Sequence, residues 1–158
     1  MTRKIPHTNI PYRYAPRTLS ARDRRRQLAE IRKSRRLYKR GIYHARKTMK
    51  SYPHVKSPHV RNAMRMYGVS TMRPSPLLAK RTGCTLKSLR KIVNKGRGAY
   101  FSSGSRPNQT AESWGLARLA SAITGKNAAK VDYHLLREGC KPGSKPLRLA
   151  NKLLENIR

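Results

Sequence analysis

Between Arg22 and Arg40, ten of nineteen residues are lysine or arginine, and only Asp23 and Glu30 are acidic. A stretch so charged cannot enter an apolar interior on all sides, so it has to be a rod with at most one face turned inward. The apolar residues support this. Leu28, Ile31, Tyr38, Ile42, Ala45 and Met49 recur at three- and four-residue steps, with Arg35 where another apolar residue would fall. Ser20-Ala21-Arg22-Asp23 has the form of a capping box, in which Ser20 accepts from the helix backbone and Asp23 reaches back. The pattern predicts one helix from Ser20 to about Lys50, roughly 45 Å long at 1.5 Å per residue, with Gly41 weakening its middle.

Ahead of that helix, Met1 to Thr18 carries Pro6, Pro11 and Pro16, with Tyr12 and Tyr14 between cations. Proline fixes φ and donates no backbone hydrogen bond, so the segment is expected to be an extended basic arm. A helix with a single apolar stripe needs a neighbour to cover it. The expectation is therefore an arm and a helix that become ordered against adjacent subunits.

Charge bounds the partner. The 158 residues contain 38 lysines and arginines against six acids, a formal net charge of +32. Residues 1–70 hold 20 of those cations and two of the acids, whereas the remainder holds most of the leucine, isoleucine, valine and alanine. The second half can build a modest core, and the first half is expected to depend on a partner. Some polyanion must offset the excess: nucleic acid, an anionic membrane surface or an acidic protein lattice.

Downstream, serine and proline mark helix starts and glycine marks stops. Ser57-Pro58 opens a short helix with Val60, Ala63, Met64 and Tyr67 inward, ending at Gly68. Ser75-Pro76 opens another that reaches Thr82-Gly83, and Leu86, Leu89, Ile92 and Val93 continue beyond it. The glycines and serines of Gly96 to Asn108 read as a loop. A helix from about Thr110 to Gly125 carries Trp114, Ala117, Ala120 and Ile123 on one face, and Asn127 starts another with Ala128, Val131 and Leu135 inward, ending at Gly139. After a linker over Lys141 to Pro146, Leu149, Leu153, Leu154 and Ile157 mark a last amphipathic helix. Trp114, Leu119, Ile123, Val131 and Leu135 are expected to share a core with Leu86 and Leu89. No period-two strand pattern appears. The fold class is mainly α, an extended basic arm (1–18) and a long basic helical segment (19–70) followed by a small helical domain (71–140), then a linker and C-terminal amphipathic helix (141–158).

Within the small domain, Ala79, Gly83 and Leu89 fall at the intervals of a helix-turn-helix-like hairpin, with a small residue at the crossing, glycine at the turn and an apolar residue on the second helix. In a DNA reader of that form, Thr85, Lys87, Ser88 and Lys91 would face the major groove; the alternative is a hairpin that packs its own core. The Gly96–Asn108 loop, with Lys95, Arg97 and Arg106, is either a connector or a nest of backbone N–H groups for phosphate. It is no Walker loop, since no Gly-Lys-Ser/Thr follows at the required spacing.

Catalytic chemistry finds few candidates. Asp132 and His134 lie two apart on an expected helix and point in different directions. No paired carboxylates occur, and His7, His44, His54, His59 and His134 are scattered without ligand spacing. The chain is expected to be no enzyme and to carry no cofactor, metal or small-molecule substrate. Cys84 and Cys140 form neither a metal-ligand motif nor a disulfide framework, and are expected to be buried thiols in a reducing, intracellular setting. No apolar run approaches a bilayer span, and Met1 to Pro11 lacks the apolar stretch of a secretory signal.

One stretch carries a resemblance. Thr82-Gly83-Cys84 through Lys91-Ile92-Val93-Asn94-Lys95-Gly96-Arg97-Gly98-Ala99-Tyr100-Phe101 to Asn108-Gln109-Thr110, followed by Ser113-Trp114-Gly115 and Ala117-Arg118-Leu119-Ala120-Ser121, resembles an uncharacterised domain family of large double-stranded DNA viruses of algae, over about Ser75 to Cys140. The resemblance implies a virion made in the host cytoplasm, with an internal membrane and minor capsid proteins beneath a major shell. It brings no catalytic residues. The expected function is a basic minor capsid protein that bridges neighbouring capsid proteins; the alternatives are a DNA-binding, genome-packaging protein and, third, an RNA-bound ribosomal-type protein. Candidate contacts to the polyanion or partner are Arg22, Arg24, Arg25, Arg26, Arg32, Lys33, Arg35, Arg36, Lys39 and Arg40 on the long helix. Lys87, Lys91, Lys95, Arg97 and Arg106 are the candidates further along.

Overall fold

The structure is a computed structural model and describes residues 9–54 and 56–157. It is mainly helical: α1 (Ala21–Tyr38), α2 (Pro58–Tyr67), α3 (Pro76–Thr82), α4 (Leu86–Ser102), α5 (Ala111–Ile123), α6 (Asn127–Val131), α7 (Tyr133–Gly139) and α8 (Lys145–Glu155). The chain forms two compact units. The first takes residues 1–54 and 99–110, and the second takes 55–98 and 111–158. The segment 99–110, which the sequence places inside a single small domain, thus belongs with α1.

In the first unit, α1 starts as expected, with the Ser20 side chain accepting from the Asp23 backbone N–H at 3.1 Å. Asp23 does not complete the capping box. Its carboxylate instead accepts from the Ser51 N–H (2.9 Å) and the Ser51 hydroxyl (2.6 Å). The helix ends at Tyr38, well short of Lys50. Gly41 terminates it: at φ +76 the chain turns away while Arg40 N–H and Ile42 N–H both donate to the Leu37 carbonyl, a left-handed stop that glycine adopts without penalty. The residues read as the second half of a helix, 42–50, are irregular chain that comes back to α1.

The inward face of α1 also differs from the apolar stripe. Asp23, Gln27, Ile31 and Ser34 are buried, at steps of four, four and three. Three of the four are polar, and each binds chain outside α1. Gln27 Nε2 donates to the Tyr14 carbonyl (3.1 Å), and Ser34 Oγ donates to the Phe101 carbonyl (3.0 Å). Part of the expected arm is therefore built in. Residues 1–8, including Pro6, lie outside the described residues, but Tyr12–Tyr14 forms a 3-10 turn, and Tyr14, Ala15 and Leu19 are buried. Pro11 and Pro16 shape turns here, as their carbonyls accept from Tyr14 and Leu19 N–H. Asn108, at φ +62, closes the unit by accepting from Met49 N–H (2.6 Å) and donating to the Met49 and Tyr52 carbonyls (3.1 and 2.9 Å).

The second unit is a helical bundle with an apolar core. Leu78, Leu89, Ile92, Leu119, Ile123 and Leu136 are fully enclosed among Ala63, Ala120, Ala122, Ala129 and Ala150. α5 packs against α2, α6 and α8. The loop expected over Gly96 to Asn108 is helical as far as Ser102, while Gly104 turns at φ +130 beyond it; Gly96 lies within α4, and a β-carbon on it would sit 2.6 Å from the Gly115 Cα of α5. A glycine on each helix lets the two backbones approach where side chains would hold them apart. Trp114 is only half-buried and Val131 is 61% exposed, so neither fills the role expected of it. The helix expected over Asn127 to Gly139 breaks at Asp132. That residue is fully enclosed, and its carboxylate accepts two bonds from the Arg118 guanidinium, at 2.7 and 2.8 Å. Burying this ion pair turns the chain and leaves Val131 outside.

Cys84 and Cys140 are bonded to each other, not free thiols. They lie 56 positions apart in the sequence, so nothing local pairs them. The Gly83–Thr85 turn and the end of α7 run antiparallel, with Thr85 N–H donating to Gly139 and Lys141 N–H donating to Gly83, and the two cysteines lie opposite between those bonds.

Candidate functional site

The candidate cations divide into two groups with different work. On α1, Arg22, Arg25, Arg26, Arg32, Lys33 and Arg36 are exposed, and Lys39 and Arg40 continue the same side past the last turn. Arg22, Arg25 and Arg26, then after Ala29 Arg32, Lys33 and Arg36, share the side opposite Asp23, Gln27, Ile31 and Ser34, because residues three, four and seven apart stack on one side of a 3.6-residue helix. From Arg22 to Arg36 the stripe is about 21 Å long at 1.5 Å per residue, over which a nucleic-acid duplex carries on the order of 12 phosphate charges.

Arg24 and Arg35 turn inward instead. Arg24 Nε donates to the Ala15 carbonyl (3.0 Å), while Arg35 donates through Nε to Ser103 (2.7 Å) and through Nη2 to Asn9 (3.2 Å). They bind backbone of their own unit. Arg46, which no sequence signal marks, is the extreme case. Its guanidinium donates to the Tyr100 carbonyl, to Ser34 Oγ (3.1 Å) and to Ser105 Oγ (2.7 Å), and lies 3.7 Å over the Tyr100 ring. Burial lowers its pKa from the ordinary arginine value.

Carboxylates are few in the first unit. The first unit holds only Asp23 and Glu30. Hydrogen bonds from the Ser51 hydroxyl and N–H hold Asp23 below the usual carboxylate range. Burial works to raise Glu30, but hydrogen bonds from His44 (2.8 Å) and Lys47 N–H (3.3 Å) outweigh it and hold that carboxyl low as well. Both acids are ionised at neutral pH and engaged inside the unit.

In the second unit, Lys87, Arg90, Lys91, Asn94 and Arg97 are exposed along α4. Arg97 donates to Asn94 Oδ1 (3.3 Å), and Arg90, Asn94 and Arg97 border a shallow cavity of about 280 Å³ floored by Pro74 and Val93. Lys95 is tied to Asp132 (4.0 Å) and His134 (3.2 Å). Arg106 is exposed in the first unit, in a loop whose backbone is shaped by Ser105 and Asn108.

Two of the four residues assigned to a DNA groove are otherwise engaged. Ser88 is buried and donates to the Leu135 carbonyl (2.7 Å), and Thr85 caps α4 by accepting from Ser88 N–H (3.2 Å). A β-carbon on Gly139 would sit 2.2 Å from the Ser88 side chain. The start of α4, the part that a groove-reading helix inserts, is therefore covered by the end of α7. Lys87 and Lys91 stay outward.

Among the described residues, no three histidine, cysteine or acidic side chains gather where they could hold a metal ion, and no helix is long and apolar enough to cross a membrane. No curated protein and no solved structure matches the chain. Residues 11–138, most of the chain and parts of both units, match the family of unknown function DUF5824, and the protein belongs to that family.

Proposed function

We propose that the protein is a non-enzymatic, structural binder of nucleic-acid phosphate, and that the outward stripe of α1 is its main contact. The observation that carries this reading is the division of labour on α1. Arg24 and Arg35 bind backbone of their own unit, both of its carboxylates are engaged internally, and Arg22, Arg25, Arg26, Arg32, Lys33 and Arg36 stay exposed on the opposite side of the helix. Such a row neutralises a backbone of regularly spaced phosphates without reading bases. A packaged viral genome is one such partner, consistent with the setting that the resemblance implies.

The minor capsid reading draws its physical support from an apolar stripe on α1 that a neighbouring subunit has to cover. That face is occupied within the unit, so phosphate binding is the better supported of the two. A sequence-reading role through the α3–α4 hairpin has less support, because Thr85 and Ser88 are engaged internally. An anionic membrane surface would be met by the same cations through a headgroup phosphate.

Binding to DNA should weaken steeply with salt and favour no sequence. Replacing Arg25, Arg32 and Arg36 together by alanine should lower the slope of log affinity against log salt by about 2–3, because each duplex phosphate that a cation neutralises adds about 0.9 to that slope. An unchanged slope would remove α1 from the interface. A preferred site bound about a thousandfold more tightly than random DNA, and abolished by changing Lys87 and Lys91, would establish the hairpin as a reader instead.

A further inference from the structure

The end of α1 carries a feature that phosphate binding alone does not use. Beyond the Gly41 turn, the Tyr43 ring is 69% exposed, yet it is held in place. Its centroid lies 5.2 Å from the Phe101 ring at an interplanar angle of 47°, and 6.0 Å from Tyr38 at 51°. Both supports are themselves fixed. Tyr38 is the last residue of α1, and the Phe101 carbonyl accepts from the buried Ser34 hydroxyl. Ile42 N–H, next to Tyr43, donates to the Leu37 carbonyl. Lys39 and Arg40 are exposed in the turn between Tyr38 and Tyr43. An exposed tyrosine on a flexible loop would be ordinary, but this one is pre-positioned beside two cations in a unit whose two carboxylates are both engaged internally, Asp23 by Ser51 and Glu30 by His44 and Lys47.

We infer that Tyr38, Tyr43 and Phe101 form a stacking platform for unpaired bases, so that the nucleic acid bound at this end of α1 is single-stranded. The inference rests on the phosphate-binding reading above and specifies its ligand. Single-strand binders combine cations that follow the backbone with aromatic faces on which bases stack, and every base offers such a face regardless of sequence. A duplex keeps its bases stacked on one another and has none to give. Lys39 and Arg40, exposed in the turn before Tyr43, supply the phosphate contacts. Tyrosine is also common at protein interfaces, but the surrounding excess of uncompensated cations favours an anionic partner.

The test compares full-length protein binding to an oligothymidine strand and to a duplex of equal length, for wild type, Tyr43→Ala and Tyr43→Phe. Tyr43→Ala should weaken single-strand binding about 5- to 150-fold, the loss expected for one stacked base, with duplex affinity and both salt slopes unchanged. Tyr43→Phe keeps the ring and should bind the single strand within about twofold of wild type on the same stacking argument. A Tyr43→Trp variant should lose fluorescence on adding the single strand and keep it on adding the duplex. If Tyr43→Ala binds both forms as wild type does, or loses both equally, the platform is overturned while the phosphate reading stands. If Tyr43→Ala changes self-association and not single-strand binding, the cluster is a protein contact and the inference fails. If wild type binds neither form, the phosphate reading itself has failed, and this inference with it.

Discussion

The two units of this chain are built from different materials. The second unit is a conventional bundle, in which leucines, isoleucines and alanines interlock and a glycine on each of α4 and α5 sets their separation. The first has few enclosed apolar side chains, chiefly Tyr14, Leu19, Ile31, Met49 and Tyr100. It is held by side chains that reach across to backbone outside α1: Asp23 to Ser51, Gln27 to Tyr14, Ser34 to Phe101, Arg46 to Tyr100 and Asn108 to Met49. Each bond contributes modestly when made and leaves a costly vacancy when one partner is removed. A chain too rich in cations to bury much apolar surface can thus still build a defined unit, provided that each irregular segment has a polar side chain waiting for it. The second unit should be sensitive to lost volume, and the first to lost donors.

That contrast can be broken at several points. The largest effect is expected for Leu119→Ala, fully enclosed on α5. It should cost about 2–5 kcal/mol by urea denaturation, with hydrogen-exchange protection lost in the second unit; a loss below about 1 kcal/mol would show a core that collapses around the gap. Arg46→Ala should cost about 1–3 kcal/mol by leaving buried acceptors unmatched, with protection lost in the first unit. Arg46→Lys should restore little of it, because an ammonium cannot reproduce the fork of N–H donors. A full rescue by lysine would mean that charge, not donor geometry, holds the segment.

Asn108 separates backbone from side chain. Asn108→Gly removes three hydrogen bonds but tolerates φ +62, whereas Asn108→Ala must also hold a left-handed conformation, so alanine should be less stable than glycine by about 1 kcal/mol. Equal stabilities would mean that the turn relaxes. The smallest effect is acid sensitivity. Asp23 and Glu30 are held below their ordinary values of 3.8 and 4.5. The stability that they contribute is complete above those values and is lost as the pH falls through the lowered ones. Protection of the first unit should therefore decline below about pH 4 ahead of the Leu119 region, and Glu30→Gln should shrink the difference.

What the sequence made legible was local. Ser20, Ser57-Pro58 and Ser75-Pro76 mark true helix starts, and Gly68 and Gly83 true stops, because capping is decided within a few residues. What it concealed depends on distant partners. Gln27 and Ser34 look like solvent-facing positions until the carbonyls of Tyr14 and Phe101 arrive. Gly96 reads as a loop former because one residue type serves both a turn and a close helix crossing, and only Gly115 decides between them. Of the candidate cations, the exposed rows on α1 and α4 followed from helical spacing. The inward turn of Arg24 and Arg35 did not, since an arginine is charged alike whether it meets a phosphate or a neighbouring carbonyl. Arg46 was hidden by the helix expected beyond Gly41, and the aromatic cluster by the long stretch of chain between Tyr43 and Phe101.

The interleaving of the two units along the chain has a practical corollary. Because residues 99–110 belong with α1 while the sequence on both sides belongs to the bundle, no single scissors cut yields both pieces. A fragment ending at His54 would have Gln27, Ser34 and Arg46 but not Ser105 or the Phe101 and Tyr100 carbonyls that they engage, and Met49 and Tyr52 would lack Asn108. A protease or a truncated gene that separates front from back therefore does not release a working cationic module. To transplant the first unit onto another scaffold, an engineer would have to carry two separate stretches and supply a host that opens at one loop to receive the second.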